Sequence, residues 1–292
     1  MTRKTDLAME AREIWRESAG ETTELPGVRA KETVSRGITT TVVEILDQRG
    51  MRALRKPVGT YVTLEFQKGT LRDRAGFGRA AARLGRTLSG MLPQTGPILV
   101  AGLGNEAVTP DAIGPKTLDH LLVTRHLGGV LPRLRQVSAI APGVLGVTGL
   151  ESVEVVRGVV ERAKPCCVVV VDALASREPR RLCKTVQLAD TGIVPGSGVR
   201  NSRAAFDRDA LGVPVVAVGV PTVVDAAIFS EGIVENNDKN NEKQKILEQD
   251  NLVLTPRDID EQIARITRLL GYGISLGLHS GLNLGDITCL LG

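Results

Sequence analysis

The chain has 292 residues, 42% hydrophobic and 24% charged, with a net charge of +4. That length buries a sizeable core, and with aromatics at 2% the core must be Val, Leu, Ile and Ala, which favours parallel strands under helices over a sandwich or barrel. The mild, scattered positive charge argues against direct nucleic-acid binding, and no apolar run is long enough to cross a membrane.

In chain order, residues 6–16 carry a helix-like period. Residues 38–46 and 60–66 are rich in β-branched side chains and read as strands. Over 76–92 the apolar residues Phe77, Ala81, Leu84, Leu88 and Met91 fall on one face of a helix. Residues 97–102 form a continuous apolar run, expected of a central parallel strand. From Thr109 the period turns helical to about residue 122, with Pro110 tolerated in the first turn. A further helix is predicted over 151–162, and a second buried strand over 167–171, ending on Asp172. A Gly/Ser/Thr loop over 190–202 leads to a third strand over 213–218. Residues 231–251 are polar and read as a surface excursion, and 259–278 read as a long helix. The alternation predicts one α/β domain over 1–292, with a mostly parallel sheet covered on both faces.

The N-terminus lacks the apolar segment of a secretory signal, and the four cysteines show no C-x-x-C spacing. Cys166 and Cys167 read as small buried hydrophobes in a reducing compartment, so a cytoplasmic location is expected.

In open parallel sheets, ligands gather beyond the carboxyl ends of the strands. Two acids, Asp111 and Asp172, are predicted there, flanked by glycine-rich loops. Alone, Asp111 reads as an acid meeting a helix dipole and Asp172 as a turn cap. Together they form a plausible acid–base pair, because like charges drive one pKa upward. Gly102, Gly104 and Ala107 also fit a form of the dinucleotide fingerprint. That match is weak: the helix starts too late, and a carboxylate at Asp111 repels phosphate. None of His120, His126 and His279 has zinc-helix spacing.

The ordered set K-T-D-L-A-M-E-A, V-T-P-D-A-I-G-P, V-T-R-H-L, A-P-G-V-L-G-V-T-G, V-D-A-L-A-S-R, D-T-G-I-V-P-G-S-G-V-R-N and V-P-V-V-A-V-G-V-P-T-V-V-D-A closely resembles the germination protease family of endospore-forming bacteria. The resemblance implies a three-layer α/β/α sandwich with a mostly parallel central sheet, phosphorylase/hydrolase-like and similar to hydrogenase-maturation endopeptidases. It implies an atypical aspartic endopeptidase that degrades small acid-soluble spore proteins during germination in the spore core. No cofactor or metal is implied, and the assembly implied is a homotetramer made as a zymogen. Asp111 and Asp172 match the family's acidic pair. Only Met1 to Arg3 precede the first motif, so residues 1–8 read as a vestigial pro-segment. Val147 and Arg200 depart from the family pattern near the expected cleft. Gly102, Gly196 and Gly198 are candidates for bringing backbone N–H groups to the substrate or oxyanion, with Asn105, Thr148, Thr191 and Ser197 as orienting hydrogen-bond groups. A metal-dependent maturation-type peptidase using a histidine such as His126, and a non-catalytic Rossmann-like binding module, remain as alternatives.

Overall fold

Runs of β-branched residues supply the strands, and two sets of helices cover them. A computed structural model describes residues 5–19, 25–127, 134–197, 203–225 and 252–291. Its strands are β1 (Val28–Ser35), β2 (Ile38–Ile45), β3 (Gly59–Phe66), β4 (Ile98–Gly102), β5 (Val137–Ile140), β6 (Cys167–Ser176), β7 (Thr185–Ala189), β8 (Val215–Asp225) and β9 (Val253–Leu254). The helices are α1 (Ala8–Ala19), α2 (Gln48–Leu54), α3 (Arg74–Ser89), α4 (Ile113–Leu118), α5 (Leu145–Thr148), α6 (Ser152–Ala163), α7 (Arg208–Leu211), α8 (Ile259–Leu278) and α9 (Leu284–Leu291).

One sheet runs β1-β2-β3-β7-β8-β6-β4-β5, with β9 paired to the end of β8. The half carrying the predicted acids, β8-β6-β4-β5, is parallel. Its strands are apolar on both faces because helices cover both. On one face Val100, Val169 and Val218 pack with Leu84 and Leu88 of α3 and Ile266 and Leu270 of α8. On the other, Leu99, Val168 and Val170 meet Val156 and Val160 of α6 and Leu211 of α7. Each such leucine or valine contributes roughly 1.5–3 kcal/mol by leaving water. The strands β1, β2, β3 and β7 extend the sheet antiparallel. There α1 and α2 cover Val43, Ile45 and Tyr61. The result is a three-layer α/β/α fold.

The structure corrects the sequence reading in several places. β6 does not end on Asp172 but continues to Ser176, so this acid lies within a strand. The helix expected over 109–122 is a 3₁₀ turn, Thr109–Asp111, followed by the six-residue α4. Pro110 and Pro115 remove two backbone donors from this stretch, so a continuous helix is disfavoured. β1, exposed over most of its length, and the short β7 lacked enough hydrophobic pattern to be predicted. The 231–251 excursion lies outside the described residues.

Helix α1 is tied to the sheet by charge as well as by apolar packing. Arg181 is buried and donates to Glu10, Glu13 and Glu65 at 2.9–3.1 Å. Burial works against the Arg181 charge, but the hydrogen bonds to Glu13 and Glu10 outweigh it and raise the pKa above its ordinary value. Glu10, fully buried, also accepts from the Ser176 hydroxyl and the Arg177 amide, both at 2.7 Å. Removing the cation strands a buried carboxylate, so Arg181→Ala should lower stability by about 3–5 kcal/mol in urea unfolding. A loss below about 1 kcal/mol would show that the cluster is not coupled to folding.

Candidate active site

Asp172 owes its setting to where β4 stops. The last paired residue of β4, Gly102, lies opposite Val171, and the Leu103 amide makes a final bond of 2.8 Å to the Val171 carbonyl. One residue later, β6 has lost its neighbour on that side and keeps only β8, where Asp172 lies opposite Gly219. Alternation along β6 sends Val169 and Val171 toward α3 and α8, and Val168, Val170 and Asp172 toward the α6 face. Asp172 is only 4% exposed.

Asp111 reaches the same place from the loop after β4. Its carboxylate accepts from the Asn105 amide at 2.7 Å, and its own amide donates to the Val108 carbonyl at 2.8 Å. Gly104, at φ +112°, allows this fold-back: a Cβ there would lie 1.9 Å from the Asp111 carbonyl oxygen. The far side of the turn is pinned by Thr109, whose hydroxyl donates to Asp260 of α8 at 2.9 Å.

Asp172 feels the charge of Asp111. Burial, then the nearby charge of Asp111, hold Asp172 well above the usual carboxylate range, against a bond from the Ala173 amide. Burial also raises Asp111, and the Asn105 amide partly offsets it. Asp6 is a further negative neighbour of Asp172. Its carboxylate accepts from the Ala175 amide at 2.8 Å and the Ser197 hydroxyl at 2.6 Å. Gln187 clamps the same segment, donating to the Asp6 carbonyl and accepting from the Ala8 amide.

Beside Asp172, on the same sheet face, is a cavity of about 240 Å³. Its wall includes Gly219 and Leu174, with Asp6, Lys56, Tyr61 and Ser197. The Lys56 ammonium donates to the Asp6 carbonyl at 2.8 Å. Burial lowers its pKa, against the charges of Asp6 and Glu10.

The other predicted site residues fall in two groups. Thr191 and Ser197 line the cavity, and Thr191 donates to the Tyr61 hydroxyl at 3.2 Å. Gly196 precedes Ser197 in a turn at φ +71°. Gly102 serves packing: a Cβ there would lie 2.4 Å from the Gly114 carbonyl oxygen. Asn105 acts through its backbone amide on Asp111, while its side chain accepts from the Ala107 amide. Thr148, the exposed last residue of α5, spends its hydroxyl on the Val144 and Leu150 carbonyls. Gly198 lies outside the described residues. Sequence reasoning missed Asp6, Lys56, Gln187 and Gly219; of these only Gly219, a glycine within a buried strand, carried a signal of close approach.

Among the described residues no cluster of three His, Cys, Asp or Glu side chains is arranged to hold a metal. His126 is exposed, and His279 is buried with Nε2 3.4 Å from the Leu122 carbonyl oxygen. Nor does the glycine turn fit a dinucleotide, because the Asp111 carboxylate occupies the Asn105 amide.

The germination protease family model matches residues 8–238. The chain belongs to the germination protease family. Germination proteases of Caldanaerobacter subterraneus and Clostridium perfringens strain 13 are 41% and 39% identical, each over 99% of this chain and 98% of the relative. That of Clostridium tetani is 37% identical over the full length of both. Among solved structures, a NiFe hydrogenase maturation protease of Thermococcus kodakarensis is 17% identical, with a TM-score of 0.37 over 64% of this chain and 98% of that one. Family membership makes the chain a peptidase of spore germination. No helix among the described residues is long and apolar enough to cross a membrane.

The raised pKa of Asp172 has a consequence for stability. Native Asp172 keeps a proton that the unfolded chain releases near pH 4, so the native state loses stability as pH rises from about 4 through the native pKa. Asp172→Asn avoids that loss. Its stability relative to wild type should rise across this window, by up to about tenfold in the folding equilibrium per pH unit. Thermal melts from pH 4 to 8 test this; parallel curves would show that Asp172 titrates normally.

Proposed function

We propose that this germination protease hydrolyses peptide bonds with Asp111 and Asp172 acting on a shared water. The observation that carries the reading is the unequal setting of the two acids. Asp172, enclosed and facing the Asp111 charge, is the better holder of the proton, and Asp111, with its amide donor, the better carboxylate. Asp111 then takes a proton from the water as the oxygen attacks the peptide carbonyl carbon. Asp172 gives its proton to the departing amide nitrogen as the C–N bond breaks. The pair then has its starting net charge with the proton on Asp111, and passing that proton to Asp172 resets it for the next turnover.

Small acid-soluble spore proteins are the proposed substrates, and the spore core the proposed site of action. The cavity beside Asp172 is suited to a substrate side chain: Leu174 and Ala217 give it an apolar floor, and Lys56, Thr191 and Ser197 a polar rim. The homotetramer and zymogen form are supported by the family resemblance.

The test is Asp111→Asn and Asp172→Asn in folded protein, with a purified small acid-soluble spore protein and mass-spectrometric mapping of the products. Each variant should lose about 10²–10⁴-fold in cleavage rate. Retained cleavage by either one would rule out the pair. A chelator should leave the wild-type rate unchanged; loss restored by a divalent metal would favour the metal-dependent mechanism.

A further inference from the structure

A second cavity, of about 140 Å³, opens at the same end of the sheet but on the face covered by α8. Its location follows from a short turn: the Cys183 amide donates to the Pro221 carbonyl at 2.8 Å, two residues along β8 from Gly219. The Lys184 carbonyl accepts from the Phe66 amide at 2.9 Å, which fixes the turn to the end of β3. The facing wall is the 67–72 loop, whose backbone is set by Thr70-to-Gln67 and Arg72-to-Gly69 bonds of 3.0 and 2.9 Å. The first turns of α8 close the third side with Asp258, Gln262 and Arg265.

The chemistry of this lining is lopsided. Lys68, Arg72, Lys184 and Arg265 bring four positive charges, and Asp258 is the only acid in the wall. Asp258 accepts from Gln262 at 2.7 Å, and Arg265 is paired with Glu261. Among the described residues, no carboxylate lies within ion-pair distance of Lys68, Arg72 or Lys184. The positive end of the twenty-residue α8 also borders the space. The floor, by contrast, is apolar: Phe66 and Cys183 are each 4% exposed, and Leu71 packs into the core. A fully hydrated inorganic anion has little to gain from that floor. A carboxylate carried on a short hydrocarbon stem would satisfy floor and rim together.

We propose that this cavity is an anion site for an aliphatic carboxylate, supplied either as a free small acid or as an acidic side chain of a bound polypeptide. Arg72 and Lys184, on opposite walls, hold the carboxylate oxygens, and the stem lies on Phe66 and Leu71. The site is distinct from the Asp111–Asp172 pair and does not depend on the peptidase assignment, since its readout is binding.

The experiment titrates the full chain with sodium glutarate and, separately, with a capped Gly-Glu-Gly peptide, at ionic strength held constant with sodium chloride. Calorimetry and thermal shift are the readouts. Wild type should give saturable binding with at least one ligand, and Arg72→Ala/Lys184→Ala should bind it about tenfold or more weakly. The charge-keeping pair Arg72→Lys/Lys184→Arg should retain most of the affinity, which separates charge from folding. Glutarate alone binding identifies a free acid, and the peptide alone an acidic side chain. No saturable binding to wild type, or equal binding by the alanine variant, overturns the proposal.

Discussion

The site depends on one topological fact: β4 ends one residue before Asp172. While β4 and β8 flank β6, its backbone groups are paired on both edges and its side chains must be apolar, as the valines from 168 to 171 are. At Asp172 one edge opens, and the loop after β4 turns back through Gly104 to fill the gap with a second carboxylate. A carboxyl is tolerated in so dry a place because burial and the neighbouring Asp111 charge favour its neutral, protonated form. Extending β4 by one residue would pair that edge and leave the Asp111 loop without its place.

Two buried carboxylates show how differently such a group can be accommodated. Glu10, fully enclosed, is surrounded by donors: the Arg181 guanidinium, the Ser176 hydroxyl and the Arg177 amide. Asp172, nearly as enclosed, has the Ala173 amide as its donor and two acids as neighbours. The first environment supplies three donors to the carboxylate oxygens, and the second favours a proton. Both carboxylates lie along the final stretch of β6, Glu10 through its bonds to residues 176 and 177. The strand therefore carries a structural anion and a proton-holding acid within a few residues of each other.

Much of the parallel half was legible in the sequence because its signals are local. The valine runs of β6 and β8 and the spacing of Leu84 and Leu88 in α3 each specify an element without outside help. Asp111 and Asp172 stood out because acids at the ends of such runs violate the pattern. The extent of β6 was not legible: A-L-A-S beyond Asp172 has little strand propensity and is held extended by β8 and by the Asp6 segment. Asn105 was legible as a loop residue, but its contribution comes from a backbone amide, which no side-chain identity announces. Lys56 and Gln187 reach the site only through contacts across 50 and more residues, with Asp6 and Ala8.

Those long-range contacts make the N-terminal segment part of the site and not an appendage to it. Residues 5–8 lie along β6 just past Asp172, bonded backbone to backbone at Asp6 and Ala175 and clamped by Gln187 from β7. Leu7 and Met9 then cover Leu174, the next residue on the Asp172 face. Asp6 is at once a wall of the cavity, the acceptor for Ser197 and a negative neighbour of Asp172. Displacing this segment would remove a cavity wall, free Ser197 and lower the negative potential at Asp172 in one step. The Asp6 segment therefore adds to the burial and the Asp111 charge that raise the pKa of Asp172.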